Sequence, residues 1–195
     1  MKKGFDISAW QEKESGMPYY DEYRMRQAKD EGNEFVIIKL GENYTVDEFF
    51  EQHITAALNS GLEVGVYYFS HAYDEATASQ EADWVLNTLK SYGYADYHLQ
   101  AGIWYDYEEH RQLRNMINAG ALTDQGMTNC MSAFINRLWR AGFANVGIYS
   151  GYSLKPTPIA KCLAFLYGAH NMAPVNVIIQ ILKYGNTPIV ELLQA

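Results

Sequence analysis

The sequence predicts an α/β fold, a modified (β/α) TIM-like barrel, whose C-terminal strands are missing or replaced. Three observations indicate the barrel. Short β-rich runs alternate with helical patterns, the runs are almost continuously apolar, and they recur about every 30 to 40 residues. Continuous apolar runs are typical of parallel strands that helices cover on both faces. With 195 residues and 48% hydrophobic content, the chain suits one domain.

Five runs have the composition of strands, and four helical patterns separate them. Each helical pattern has apolar residues at helical spacing and a glycine where the helix should stop. This alternation predicts a parallel sheet. The strand runs are GFDIS (4–8), FVIIKL (35–40), GVYYFS (65–70), GIWYDY (102–107) and NVGIYS (145–150). The helical patterns are YYDEYRMRQAKDEG (19–32), VDEFFEQHITAALNSG (46–61), EATASQEADWVLNTLKSYG (75–93) and TDQGMTNCMSAFINRLWRAG (123–142).

The composition argues against two classes of partner. Fifteen basic and 23 acidic residues leave a formal charge of −8, which disfavours binding to nucleic acid. No apolar run is long enough to span a bilayer, and the opening MKKGFDISAW lacks the apolar region of a signal peptide. We therefore expect no nucleic-acid partner, no membrane partner and no recognisable signal peptide.

Polar residues interrupt the strands at their C-terminal ends, where barrel enzymes carry their chemistry. Asp106 and Glu108 stand two positions apart in GIWYDYEEH (102–110), so in a strand both side chains would point to one face. Neighbouring carboxylates repel, and each hinders the ionisation of the other. Such a pair in an apolar strand indicates a functional cleft. The other candidates for this cleft are Asp6, Lys39, Ser70, His71, Tyr149 and Ser150.

Each candidate also has a structural explanation. Asp6 by itself is typical of a turn or a helix cap. Lys39 and His71, taken singly, fit solvated or hydrogen-bonded structural groups. Asp106 and Glu108 also fit the solvated face of an edge strand, although edge strands are usually less apolar than GIWY. The cleft is therefore favoured by the set of residues rather than by any one of them.

Four segments, in order over about 150 residues, resemble the family 25 glycoside hydrolases, which are lysozymes or endolysins of phages and bacteria. They are GFDISAWQ, FVIIKLGENYTVDEFFEQHITAALNSGLEVGVYYFSHA, the D-x-E of IWYDYEE, and GIYSGY. The resemblance implies a modified α/β barrel that hydrolyses the β-1,4 bond between N-acetylmuramic acid and N-acetylglucosamine in peptidoglycan. By position, Glu108 matches the general acid of the family, Asp106 its neighbouring carboxylate, and Asp6 the aspartate that ends the first strand.

This chemistry accounts for the acidic pair. Glycosidic cleavage needs an acid that protonates the leaving oxygen and negative charge near the oxocarbenium-like centre. It requires neither a metal nor an organic cofactor. Aromatic rings near strand ends suit stacking on sugars, and polar groups beside them suit hydrogen bonding. The expected substrate-binding residues are Trp10, Lys39, Tyr67, Tyr68, His71 and Tyr149.

Two alternatives belong to other classes. Asp106, Glu108 and His110 alternate along one face and could hold a divalent metal, which would give a metal-dependent hydrolase. Alternatively, the barrel binds cell-wall glycan without cutting it. The expected partner of the glycosidase is bacterial peptidoglycan, so it would act on the bacterial cell wall, after phage-type release or extracellularly.

The end of the sequence departs from the family. Members usually continue with strands resembling W-x-A-Q-Y and W-Q-Y-T, and then with a further active-site aspartate, but none of these follows Leu154. A single shift of reading frame restores both motifs. Under this shift, the codons of Tyr167 to Ala173 permit W-x-A-Q-Y-G, and those of Lys183 to Ile189 permit I-W-Q-Y-T-D. We therefore hypothesise a frameshift after about residue 154.

The predicted organisation is a catalytic barrel over residues 1–154 and an atypical tail of the same domain over residues 155–195, without a wall-binding module. VNVIIQIL (175–182) has the composition of a strand, and IAKCLAFLYGA (159–169) that of a helix or a strand. We expect the tail to cover the open side of the barrel in a monomer, or to be exchanged between two chains in a dimer. Because the late aspartate has no replacement, we expect weakened activity.

Overall fold

The computed structural model describes residues 2–15, 20–108, 110–150, 177–178, 181–184 and 187–191. Five parallel strands form the centre of its sheet and pair in chain order. They are β1 (Lys3–Ile7), β2 (Phe35–Glu42), β4 (Glu63–Phe69), β5 (Gly102–Asp106) and β6 (Val146–Tyr149), and a short β3 (Thr45–Val46) pairs antiparallel with β2. The α/β class with a mostly parallel sheet is thus confirmed.

Helices connect the parallel strands. The four predicted ones are α2 (Glu22–Asp30), α3 (Phe50–Ser60), α4 (Glu75–Ser91) and α6 (Asp124–Arg140). At their ends Gly61 (φ 74°) and Gly142 (φ 94°) adopt the left-handed conformation that glycine tolerates best. The sequence did not predict α1 (Ala9–Ser15), α5 (Arg111–Asn118) or the 3-10 turn at Asp96–His98, because these segments are short.

The strands sort their side chains to two faces with a period of two. One face packs against the helices in a large apolar core, which includes Val36, Ile38, Val66, Ile103 and Ile148. The other face carries a small cluster of Phe35, Ile37, Ala101 and Trp104, with Tyr67 and Tyr149 packed against it. Full burial of one such side chain contributes roughly 1.5 to 3 kcal/mol. The small cluster forms the floor beneath the polar strand ends.

Three strands of the tail extend the sheet at both edges. β7 (Val177–Ile178) pairs parallel with β6, while β8 (Ile181–Tyr184) and β9 (Thr187–Glu191) form an antiparallel pair whose β9 joins β1. The order is β7-β6-β5-β4-β2-β1-β9-β8, so among the described strands β7 and β8 are the two ends. The tail therefore supplies strands beside β1 and β6. The segment 159–169, expected as a helix or strand, lies outside the described residues.

Candidate active site

A cleft of about 480 Å³ opens at the C-terminal ends of the parallel strands. Parallel strands bring these ends to one edge of the sheet, which is the usual site of function in such folds. Seven of the nine predicted site residues line this cleft, and the two that do not are Tyr68 and His71. The full lining is Asp6, Ser8, Trp10, Gln11, Ile37, Lys39, Glu42, Tyr67, Phe69, Trp104, Asp106, Glu108 and Tyr149.

Three of the four carboxylates that line this cleft lie on β1 and at the end of β5, and the fourth is Glu42. Asp6 lies in β1, Asp106 is the last residue of β5, and Glu108 follows two positions later. One carboxylate oxygen of Asp6 and one of Asp106, Oδ1 in each case, are buried without a hydrogen-bond partner among the described residues. A buried polar atom without a partner destabilises the fold, so it is usually retained for function.

Burial shapes the protonation of these carboxyl groups. Burial raises the pKa of Asp6 to about 7, and the negative charge of Glu108 adds to the increase, although a backbone hydrogen bond opposes it. Burial also raises the pKa of Asp106 well above its ordinary value, and Glu108 and Asp6 raise it further against the opposing charge of Lys39. The neighbouring carboxylate charges thus make Asp6 and Asp106 harder to ionise.

Aromatic and cationic groups surround the carboxylates. The Trp104 indole is buried and donates from Nε1 to the carbonyl oxygen of Ala101 at 2.7 Å, which fixes the floor of the cleft. Burial raises the pKa of Tyr149, and the charges of Asp6, Asp106 and Glu108 raise it further, so its hydroxyl stays protonated beside all three. The arrangement provides a hydroxyl donor next to the acidic set.

Lys39 is the cation of the cleft. Its Nζ lies 3.0 Å from Oε2 of Glu42 and 5.6 Å from the ring centroid of Phe69. Glu42 reaches the cleft because the register between β2 and β4 shifts between Lys39 and Gly41. Such a bulge re-aims the side chains that follow it. Strict alternation from Lys39 would direct Glu42 to the opposite face, so the sequence pattern did not identify it.

Trp10 stands at the mouth of the cleft, with 65% of its surface exposed. Helix α1 carries it and is held at its start by Asp47, whose Oδ1 accepts from the Ala9 backbone N–H at 3.1 Å. Farther along, Oε1 of Glu12 lies 3.1 Å from Nε2 of the buried His53. An exposed indole on a fixed helix is suited to stacking against a flat ligand.

Two predicted substrate-binding residues lie outside the cleft. Tyr68 is fully buried on the helix side of β4 and packs against Trp84 at a ring-centroid distance of 5.3 Å. The prediction for Tyr68 is wrong because adjacent strand residues point to opposite faces, and Tyr67 occupies the cleft side. His71 lies behind Phe69, with ring centroids 5.3 Å apart, and does not belong to the cleft lining. Burial lowers the pKa of His71.

The grouping needed for a metal-dependent hydrolase is not formed by the described residues. The His110 ring packs against His71, with ring centroids 4.5 Å apart. Among the residues that the structure describes, no three His, Cys, Asp or Glu side chains are placed to hold a metal ion together. In the same part of the chain, no helix is both long and apolar enough to cross a membrane.

A hydrogen-bond network supports the site from the helix side of the sheet. The hydroxyls of Ser70 and Tyr105 lie 2.7 and 2.8 Å from Oε2 of Glu81, and the His71 backbone N–H donates to its Oε1 at 2.8 Å. The Ser70 backbone N–H donates to the carbonyl oxygen of Asp106 at 2.8 Å. The network thereby ties the segment after β4 to the end of β5.

The meeting of Asp6, Asp106 and Glu108 beside aromatic rings, at the C-terminal edge of a parallel sheet, fits the class of enzymes that cut glycosidic bonds. The family model described as Glycosyl hydrolases family 25 matches residues 5–159. The chain belongs to this family, and the prediction of a glycoside hydrolase is confirmed. A comparison with curated protein sequences finds no significant match.

Solved structures share the fold at low sequence identity. The modular autolysin LytC from Streptococcus pneumoniae is 19% identical with a TM-score of 0.72, over 98% of this chain and 46% of that chain. A muramidase from Trichobolus zukalii is 21% identical with a TM-score of 0.67, over 100% and 95% of the two chains. The catalytic domain of endolysin ply40 from bacteriophage P40 of Listeria monocytogenes is 22% identical with a TM-score of 0.59, over 83% and 68%. The chain thus spans about half the length of the autolysin.

Proposed function

We propose that the protein hydrolyses the β-1,4 bond between N-acetylmuramic acid and N-acetylglucosamine in bacterial peptidoglycan. The observation that carries this proposal is the meeting of Asp6, Asp106 and Glu108 in one cleft of a family 25 chain. The solved structure of the autolysin LytC in complex with a synthetic peptidoglycan ligand supports the substrate class. The protein would accordingly act at the bacterial cell wall.

In the proposed mechanism, Glu108 is the general acid that protonates the leaving oxygen. Asp106 and Asp6 stabilise the positive charge that develops at the sugar, orient its acetamido group or orient the attacking water. Burial raises the pKa of both aspartates and the neighbouring carboxylates add to the increase, so the cleft resists carrying all of its negative charges at once. The Tyr149 hydroxyl supplies a further hydrogen bond to this set or to the substrate.

Sugar binding is assigned to the residues around the acids. Trp10 would stack on a sugar ring at the cleft mouth, and Tyr67 would contact the ring from the floor. The Lys39 ammonium would donate to sugar or acetamido oxygens. His71 is more distant and would act by packing behind Phe69.

The decisive experiment measures loss of turbidity and release of reducing sugar from purified peptidoglycan. We expect hydrolysis by the parent protein, no effect of a metal chelator, and a fall of roughly 100-fold or more in hydrolysis by Glu108→Gln. Activity that disappears in chelator would instead favour the metal-dependent hydrolase. Binding to the cell wall without release of reducing sugar would favour the non-catalytic glycan-binding barrel.

We also propose that residues 1–154 form the catalytic barrel and residues 155–195 a tail changed by a shift of reading frame. The family match ends at residue 159, close to the point where the motifs stop. Under this proposal the closing strands are replaced, one wall of the cleft is incomplete and hydrolysis is weakened, in a monomer or a tail-exchanged dimer. Resequencing the coding DNA tests the shift, and restoring the frame should raise activity. A reference gene that encodes this same tail in frame would refute it.

A further inference from the structure

The hairpin of β2 and β3 forms a wall beside the active cleft. Gly41 pairs with Val46 and Glu42 with Thr45. The two turn residues between these strands, Asn43 and Tyr44, have positive φ angles of 47° and 59°. A hairpin turn with this backbone usually carries glycine at its second position, because a side chain is strained there.

Core packing holds the strained turn in place. The Tyr44 backbone N–H donates to the hydroxyl oxygen of Tyr68 at 3.3 Å, and the Tyr68 ring is buried against Trp84. A Cβ at position 41 would collide with the carbonyl oxygen of Thr45, so β3 folds closely over β2 and Gly41 is required. The hairpin is therefore a preformed wall. A ligand that binds to it does not have to order the loop, so the entropy cost of binding is smaller.

A depression of about 330 Å³ lies along this wall and adjoins the active cleft. Lys39 and Glu42 line both spaces, so their ion pair marks the boundary between them. The remaining lining is Gly41, Asn43, Thr45, Val46 and Asp47. The depression thus continues the cleft along the hairpin without a break in its lining.

The polar groups of the depression match an uncharged polar ligand. The Asp47 carboxylate already accepts from the backbone N–H groups of Ala9 and Phe49. Exposed Asn43 and Thr45 provide an amide and a hydroxyl, which can each donate and accept hydrogen bonds. Sugar hydroxyl and acetamido groups are complementary to this mixed set.

We propose that the hairpin depression is a subsite for the sugar that continues the glycan strand beyond the active cleft. This inference rests on the proposed function and deepens it. The Lys39–Glu42 pair contacts sugars on both of its sides, and Asn43 and Thr45 hold the outer sugar through hydrogen bonds. The enzyme therefore prefers long glycan strands to short ones.

The test compares binding of peptide-free glycan oligosaccharides, a disaccharide, a tetrasaccharide and a hexasaccharide, by calorimetry. The test variant combines Asn43→Gly, which suits a positive φ, with Thr45→Val, which keeps the shape and removes the hydroxyl. Two lost hydrogen bonds should weaken hexasaccharide binding roughly fivefold to tenfold and leave disaccharide binding unchanged. Tyr44→Gly is the matched control, which keeps the hairpin and should retain the affinities of the parent.

Each other result contradicts the subsite. Equal weakening for all lengths would place the damage in the cleft, and unchanged hexasaccharide binding would remove Asn43 and Thr45 from the ligand. A parent protein whose affinity does not increase with length would also overturn the inference. Hydrolysis is measured separately. Length-dependent binding without release of reducing sugar would refute the proposed function and leave the subsite standing.

Discussion

Two buried carboxylates on opposite faces of the sheet have contrasting surroundings. Glu81, on the helix side, is 3% exposed and accepts hydrogen bonds at both oxygens. Asp106, on the cleft side, is 5% exposed, and its Oδ1 has no partner among the described residues. Burial raises the pKa of both groups, but hydrogen bonds oppose this increase for Glu81, whereas Glu108 and Asp6 reinforce it for Asp106.

The contrast separates a structural acid from a functional one. A fully hydrogen-bonded carboxylate fixes its neighbours and has no capacity left for a ligand. A carboxylate with an unpaired oxygen keeps that capacity, and the fold is less stable as a result. Burial and a raised pKa are common to both groups, so the distinguishing observation is the number of hydrogen bonds.

The largest expected effect is a loss of activity, caused by a change on the cleft side of the sheet. Glu108→Gln removes the proton donor and keeps the shape, so muramidase activity should fall roughly 100- to 10,000-fold. The thermal midpoint of unfolding should stay close to that of the parent. Glu51→Gln, on the exposed surface of α3, is the matched control and should retain parental activity. A Glu108→Gln protein with near-parental activity would remove Glu108 from the role of acid.

The next largest effect is a loss of stability, caused by a change on the helix side of the sheet. Glu81→Ala leaves the buried hydroxyls of Ser70 and Tyr105 and the His71 N–H without their acceptor, and should lower the free energy of unfolding by roughly 3 to 5 kcal/mol. Urea unfolding measures this loss. Glu81→Gln keeps acceptor atoms in place and should recover most of the stability. If the alanine variant were as stable as the parent, Glu81 would not be a structural acid.

A third prediction concerns the pH dependence of stability. Asp6 has an ordinary pKa of 3.8 and a folded-state pKa of about 7, so between these values the folded protein holds a proton that the unfolded chain releases. The free energy of unfolding should therefore fall as pH rises from about 4 to 7, and level off above that. Asp6→Asn cannot ionise and should be more stable than the parent at about pH 8 by up to about 4 kcal/mol.

The same variant should be less active, which separates stability from function at one residue. Urea unfolding over the pH range, with Asp21→Asn as a control on the exposed surface, measures the slope. An unchanged slope in Asp6→Asn would show that Asp6 is not the group responsible.

The smallest expected effect concerns the strained turn. Tyr44→Gly relieves the positive φ of 59° and should raise the free energy of unfolding by roughly 0.5 to 1 kcal/mol. Asn43→Gly, at a position where asparagine already tolerates this backbone, should change stability less. Destabilisation by Tyr44→Gly would indicate that contacts of the Tyr44 ring outweigh the strain.

Much of the cleft could be predicted from alternation and from strand ends. Asp106, Trp104 and Tyr149 share one face of neighbouring strands, and the structure brings them together with Asp6. The same alternation should have separated Tyr67 from Tyr68. Aromatic composition alone does not distinguish Tyr67, on the cleft face, from Tyr68, on the helix face.

Other features of the site and the fold do not follow from any pattern in the sequence. Glu42 enters the cleft through a bulge, which interrupts the period at a point that composition does not mark. Glu81 lies in the periodic pattern of α4, where an acidic residue is normally solvent-exposed, and its partners come from the segment after β4 and from β5. The pairing of β1 with β9 joins residues at opposite ends of the described chain, which a local pattern does not encode.

That pairing has a consequence for synthesis. Lys3, Gly4 and Phe5 pair with Glu191, Val190 and Ile189, so one edge of β1 stays open on the ribosome until the last of these residues emerges. Asp6 lies in the same strand, next to the paired residues. A nascent chain that stops before β9 therefore carries Asp6 on a strand with one unpaired edge.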